Sequence, residues 1–194
     1  MAIFLFCTTL SANITFQLDN VIEFNNSSFE GHLLNNEKIV WKSKDGELNL
    51  DSNEIILKGE VEGRLIVDGK SFKINTDSLR GNLLGKSILS EEEVLFETKG
   101  LKIVSSTMEI TQKAQEGLKV LFWKANLNQV NSDSEILKGK ANKIELFLSK
   151  DLIVMDGNAE FYEDNMKIIS DELHYDLNTD RILKSVNARI INNL

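Results

Sequence analysis

The stretch DSLRGNLLGKSIL at residues 77–89 returns as DELHYDLNTDRIL at 171–183 and, more loosely, as NKIELFLSKDLIV at 142–154. Each copy opens on Asp or Asn, places Leu or Ile two positions later and Leu four beyond that, and closes on a pair of aliphatic residues. Repetition at fixed spacing implies one building block used several times. A short alternating apolar run meets a polar turn and then a second apolar run, which is the pattern of a two-stranded hairpin. Function is therefore expected in a long sheet and its apolar face, not in a constellation of reactive side chains.

Outward from these copies, period-two runs bounded by Asn, Asp and Gly recur along the chain, while helical spacing is weak. Ile39-Val40-Trp41 precedes a turn at Lys44-Asp45-Gly46. Glu47 to Leu50 turns at Asp51-Ser52-Asn53 into Ile55-Ile56-Leu57, and Gly59 marks a strand end or a bulge. Asp68-Gly69 suits a tight hairpin turn because both residues tolerate positive φ. Val94 to Glu97 turns at Lys99-Gly100, and a polar stretch from Asn126 to Glu135 interrupts the run between Leu118–Trp123 and Ile136. A helix across Met108 to Lys119 is disfavoured by Gly117 and by the β-rich flanks.

Composition bounds the function. Across 194 residues a hydrophobic share of 42% suffices for a core, and no Pro- or Gly/Ser-rich tract marks a linker. The chain reads as one continuous all-β architecture, with any division falling between Gln112 and Gly117. Nucleic-acid binding needs clustered Lys and Arg; a formal charge of −8, with the basic residues scattered among carboxylates, argues against it. Cys7 is the only cysteine, so neither a disulfide framework nor a Cys-based metal site is available. Residues 1–12 form an apolar leader ending in Leu10-Ser11-Ala12, like the core and cleavage region of an export signal but too short for a membrane span. No Lys or Arg precedes Lys38, so a truncated anchor, a buried first strand or a short helix stay open.

No catalytic, metal or cofactor signature emerges. His32 and His174 sit in unrelated hairpins, with His174 read as a solvated strand residue, and no serine lies beside a plausible His and Asp. Nothing in the spacing selects an acid–base pair such as Asp156 with Glu160, and Glu91-Glu92-Glu93 reads as a solvated turn. Asp171 shares the alternation side of Leu173, so a corner must carry it to solvent, with its carboxylate capping backbone N–H groups; Asp77 follows the same logic. Gly59, Gly139 and Gly157 follow apolar runs in matching positions, where a strand kinks or a neighbour approaches closely. A strand over Lys143 to Leu148 puts Ile144, Leu146 and Leu148 on the apolar face and Lys143, Glu145 and Phe147 on the other. The same alternation sets Leu48 and Leu50 against Ile55 and Leu57.

Residues 139–159, GKANKIELFLSKDLIVMDGNA, with 167–177, KIISDELHYDL, resemble the OstA-like LptA family of lipopolysaccharide transport, over a region running from about Leu118 onward. Upstream, WKSKDGELNL at 41–50, IILKGEV at 55–61, SEEEVLF at 90–96 and GLKIV at 100–104 resemble the LptC family. The resemblance implies an LptC-like half at 13–111 followed by an OstA/LptA-like half at 112–194, continuous in one elongated domain. It further implies an open twisted β-jellyroll of consecutive antiparallel hairpins whose unfilled apolar trough shields lipid A acyl chains of lipopolysaccharide. In those families an inward pair after the glycine touches lipid, and the matching positions are Leu146 and Leu148. Phe122 matches an aromatic on the preceding strand, and Ile39 and Trp41 an early apolar pair. Ile144 and Leu57 join the lipid-facing set by alternation.

The resemblance also implies a periplasmic location, with inner-membrane association left open. It implies no enzyme activity, no cofactor and no nucleic-acid partner. The partners would be lipopolysaccharide, the Lpt inner-membrane complex and the outer-membrane translocon. The sheet ends, expected at a strand over Ile14 to Phe24 and another over Val186 to Ile191, would serve for strand addition and head-to-tail self-association. One rival is a structural or adhesive β-repeat with a filled interior. A carbohydrate-acting enzyme is the other, poorly supported by two Trp and two Tyr spread along the chain.

Overall fold

The computed structural model describes residues 13–16, 20–32, 37–82, 87–98, 100–113, 117–130, 136–163 and 166–192. Alternating sequences become strands, and their backbone donors and acceptors are satisfied by pairing with the next strand in the chain. The first five are Asn13–Phe16 (β1), Val21–His32 (β2), Lys38–Asn49 (β3), Glu54–Val67 (β4) and Lys70–Asn82 (β5). Four short strands follow: Ser87–Ser90 (β6), Val94–Thr98 (β7), Leu101–Ser105 (β8) and Thr107–Lys113 (β9). Gly117–Val130 (β10), Ile136–Phe147 (β11), Leu152–Glu163 (β12) and Met166–Asp176 (β13) are long again, and Arg181–Val186 (β14) and Arg189–Asn192 (β15) complete the set. All belong to one sheet in the order β1-β2-β3-β4-β5-β6-β9-β10-β11-β12-β13-β14. β7 and β8 bridge β5 to β10 beside that path, and β15 pairs with β13. The pairings are antiparallel throughout, so the expected all-β jellyroll of consecutive hairpins is the observed fold.

Each long strand bends once, and the bends line up. The β3–β4 register slips between Lys42 and Asp45, and the β4–β5 register between Lys58 and Val61. The β11–β12 and β12–β13 registers slip between Lys140 and Lys143 and between Asp156 and Ala159. Bulges of this kind kink a strand and turn its continuation. Gly59 and Gly157 take φ of 72° and 74° there, a region glycine enters without steric cost. The short strands carry the same device with the bend widened: β6 and β7 are parted by the exposed Glu91-Glu92-Glu93, and β8 and β9 by Ser106. The leading residue of each repeated phrase, Asp77, Asn142 or Asp171, sits on this crease and is exposed. Asp171 therefore avoids burial as expected, but its carboxylate accepts a 2.7 Å hydrogen bond from the Asn187 side chain and not the backbone amides anticipated.

The crease divides the sheet into two facing layers. The first contains 21–25, 45–49, 54–58, 78–82, β6, β9, 117–123, 143–147, 152–156, 172–176 and β14; the second contains 27–32, 38–42, 61–67, 70–76, β7, β8, 125–130, 136–141, 159–163, 166–170 and β15. Phe96 of the second layer meets Phe122 of the first edge-on at 5.2 Å between centroids, and Phe161 meets Tyr175 at 5.2 Å. At the crease the layers converge, and the inward residues are small: Ala125, Ala141 and Ala159 are buried, and the buried hydroxyls of Ser27 and Ser43 pair at 2.9 Å. Thr76 and Ser90 pair in the same way at 2.8 Å. Larger side chains there would force the layers apart.

Several local expectations are corrected. Lys44-Asp45-Gly46 is not a turn but the bend inside the continuous β3. Asn126 to Val130 is not loop but the second half of β10, since Leu127 points inward while Asn126 and Asn128 face out; 131–135 lie outside the described residues. The strand expected over Ile14 to Phe24 is divided between β1 and β2, which pair antiparallel with Ile14 opposite Phe24. Leu48 pairs with Ile55, but Leu57 lies opposite Gly46 and Leu50 is 49% exposed at the turn. The leader, 1–12, and the side chain of His32 lie outside what the structure describes.

Candidate functional site

Alternation along the strands drives one residue in two inward. Ile144 and Leu146 (β11), Phe122 (β10) and Leu57 (β4) enter the interior from the first layer, and Ile39 and Trp41 (β3) from the second. Leu148 opens a single 3-10 turn, Leu148–Lys150, and still points inward. All seven are 0–3% exposed and belong to one contiguous apolar cluster running from Phe24 to Tyr175. Leu146 lies between Val120 and Ile153 in its own layer, and Trp41 rests on the backbone of Gly63. The expectation of an unfilled trough is corrected: side chains of the two layers meet, because a gap between apolar faces would forfeit dispersion contacts.

The outer faces carry ion ladders. Glu145 binds Lys143 at 2.8 Å and Lys119 at 3.0 Å, and Lys143 also reaches Asp156 at 3.2 Å. Burial pushes the Glu145 carboxyl up, but the hydrogen bonds from Lys143 and Lys119 outweigh it and hold it below its ordinary value. Lys167 and then Tyr162 hold Glu160 down to about 2. Asp156 and Glu160 thus serve separate ladders on either side of the crease and form no acid–base pair. His174 bonds Glu172 at 2.7 Å on the outer face. Among the described residues no group of His, Cys, Asp or Glu is arranged to hold a metal ion.

Opposite the crease the layers meet along a seam. Among the described residues no strand pairing joins them there, and three side-chain links do. Gln112 (β9) donates to Glu37, just before β3, at 3.0 Å. Lys70 at the start of β5 binds Asp151 in the β11–β12 turn at 2.5 Å. Gln129 (β10) donates to Asp180 at 3.3 Å, and the same oxygen accepts the Tyr175 hydroxyl at 3.1 Å. Burial, with Asp68 nearby, raises the Glu37 carboxyl; burial, with Asp180, raises the Tyr175 hydroxyl. Sequence reading found the interior residues and missed every seam residue, since the linked positions stand 75, 81 and 51 apart and no local pattern joins them.

The described residues thus form a bent antiparallel jellyroll with a continuous apolar interior, its two layers linked opposite the crease by side chains. A family profile described as LptA/(LptD N-terminal domain) LPS transport protein matches residues 73–181, more than half of the chain, and the chain belongs to that family. Among solved structures it is similar to LptH, the LptA homologous periplasmic component of the conserved lipopolysaccharide transport device from Pseudomonas aeruginosa. That likeness has a TM-score of 0.55 at 14% identity and covers 62% of this chain and 93% of LptH, which supports the fold. A search of curated proteins by sequence returns no match.

Proposed function

We propose that the chain is a periplasmic carrier in the lipopolysaccharide export bridge, lodging lipid A acyl chains between its layers while the saccharide stays in water. The observation that carries this reading is the contiguous apolar interior in a member of a lipopolysaccharide-transport family. Leu146, Leu148, Phe122, Ile144, Ile39, Trp41 and Leu57 would contact the chains. Burying roughly ten methylenes is worth on the order of 8 kcal/mol, a gain set against the cost of parting the layers. Containment needs no bond chemistry, so the protein acts without catalysis or cofactor.

The LptC-like reading of 13–111 and the OstA/LptA-like reading of 112–194 belong to the same proposal, supported by equivalent bends at Gly59 and Gly157. So does strand addition at the sheet ends, β1 on one side and β14 with β15 on the other, toward the inner-membrane complex, the outer-membrane translocon or a second copy.

The packed interior favours one other reading, a β-repeat scaffold that holds no lipid. A photo-crosslinking residue at Leu146, compared with one at the outward Val154, separates the two. Carriage requires lipopolysaccharide labelling from Leu146 well above that from Val154. Equal or absent labelling leaves the scaffold.

A further inference from the structure

At one point the seam widens into a mouth of about 480 Å³, within the range of small-ligand sites. Phe72 and Leu101 from the second layer and Leu177 from the first form its apolar lining, and Phe72 and Leu101 belong to the buried interior cluster. Lys70, Asp151 and Gln129 stand around it. The rim therefore draws on both layers, and its floor continues into the core. Asp151 is fixed from behind, because its carbonyl accepts the Leu177 amide at 2.8 Å and its own backbone takes a left-handed φ of 50°. Lys70 is less confined: it follows the tight Asp68-Gly69 turn, and its side chain is 48% exposed against 17% for Asp151. An ion pair so placed gains little in water and is readily exchanged.

We propose that this mouth is a portal for the acyl chain of an anionic lipid, latched by Lys70–Asp151 and opened when Lys70 exchanges the carboxylate for the lipid's anionic head group. The portal rests on the carriage reading and adds where the layers part and which charge the entering lipid meets. Phe72, Leu101 and Leu177 then receive the chain end, while Lys70 holds the head at the rim. A neutral or cationic amphiphile offers nothing to replace Asp151 and enters poorly.

The test is made on the full chain with Cys7→Ser, Lys70→Cys and Asp151→Cys, closed or left open by a short bis-maleimide linker. Loading of lipopolysaccharide bearing a fluorescent acyl chain is followed in time. The closed form is expected to load at least tenfold more slowly than the unlinked form, and linking after loading is expected to retain the lipid. Asp151→Asn, which keeps Lys70 but removes its competing carboxylate, is expected to load several-fold faster than the native chain. If linked and unlinked forms load alike while Leu146 still crosslinks lipid, the portal is refuted and carriage stands. If no form loads, both fall.

Discussion

Replacing Gly63 by alanine tests whether the Trp41 ring packs across β4 as described. A methyl group at Gly63 would lie 2.1, 2.6 and 2.7 Å from three carbons of the Trp41 ring, where ordinary contact begins near 3.5 Å. The indole must retreat by more than an ångström, yet it is 3% exposed among buried neighbours that include Phe29. Overpacking of this kind costs about 1–3 kcal/mol, against about 0.4–1 kcal/mol returned by stiffening the unfolded chain, so a net loss of about 1–2 kcal/mol is expected. Gly139 supplies the control. A methyl there meets the terminal carbon of Met155 at 2.9 Å, and a flexible thioether can swing aside, so Gly139→Ala is expected to stay within about 1 kcal/mol of the native chain. Urea unfolding followed by circular dichroism reads both. Combining Gly63→Ala with Trp41→Leu should lose less than the sum of the single changes, because the clash is then gone. Full stability of Gly63→Ala, with unchanged Trp41 emission, would refute the placement of Trp41 against β4.

Glu160, held down by Lys167 and Tyr162, is expected to titrate near 2 in an NMR pH series. Its folded value lies below its ordinary 4.5, so the stabilisation it contributes is complete above 4.5 and disappears as pH falls toward 2; Lys167→Met should return the midpoint toward 4.5. Glu37 is the opposite case: burial raises its carboxyl, so its ionisation costs stability increasingly as pH rises above 4.5. Glu37→Gln keeps an acceptor for Gln112 and should melt higher than the native chain at neutral pH, with the advantage vanishing in acid. Deleting 186–194 removes β15 and the last residue of β14, both exposed or half-buried, so the monomer should fold while any self-association measured by sedimentation is lost; failure to fold would refute the edge assignment.

The strands were legible because alternation is local. Ile144, Leu146 and Leu148 face inward wherever the hairpin is placed, and Asp68-Gly69 forces a tight turn from two residues alone. The crease was half legible. Asp171 could not share a face with Leu173 without a bend, and Gly59 and Gly157 supplied the backbone freedom for one. Yet Lys44-Asp45-Gly46 read as a turn and Asn126 as loop, since polar residues on the outer face of a continuous strand look the same in sequence as a break.

Only the tertiary structure decided that the layers close on each other and what closes them. Period-two patterning states which face is apolar but not what covers it, and here the covering is the other half of the same strands, folded back across the crease. The links Glu37–Gln112, Lys70–Asp151 and Gln129–Asp180 arise from that folding, because they join residues whose separation along the chain carries no repeat. Hairpin geometry was thus set residue by residue, whereas the seam came into being only when two distant sets of turns were brought to the same side of the molecule.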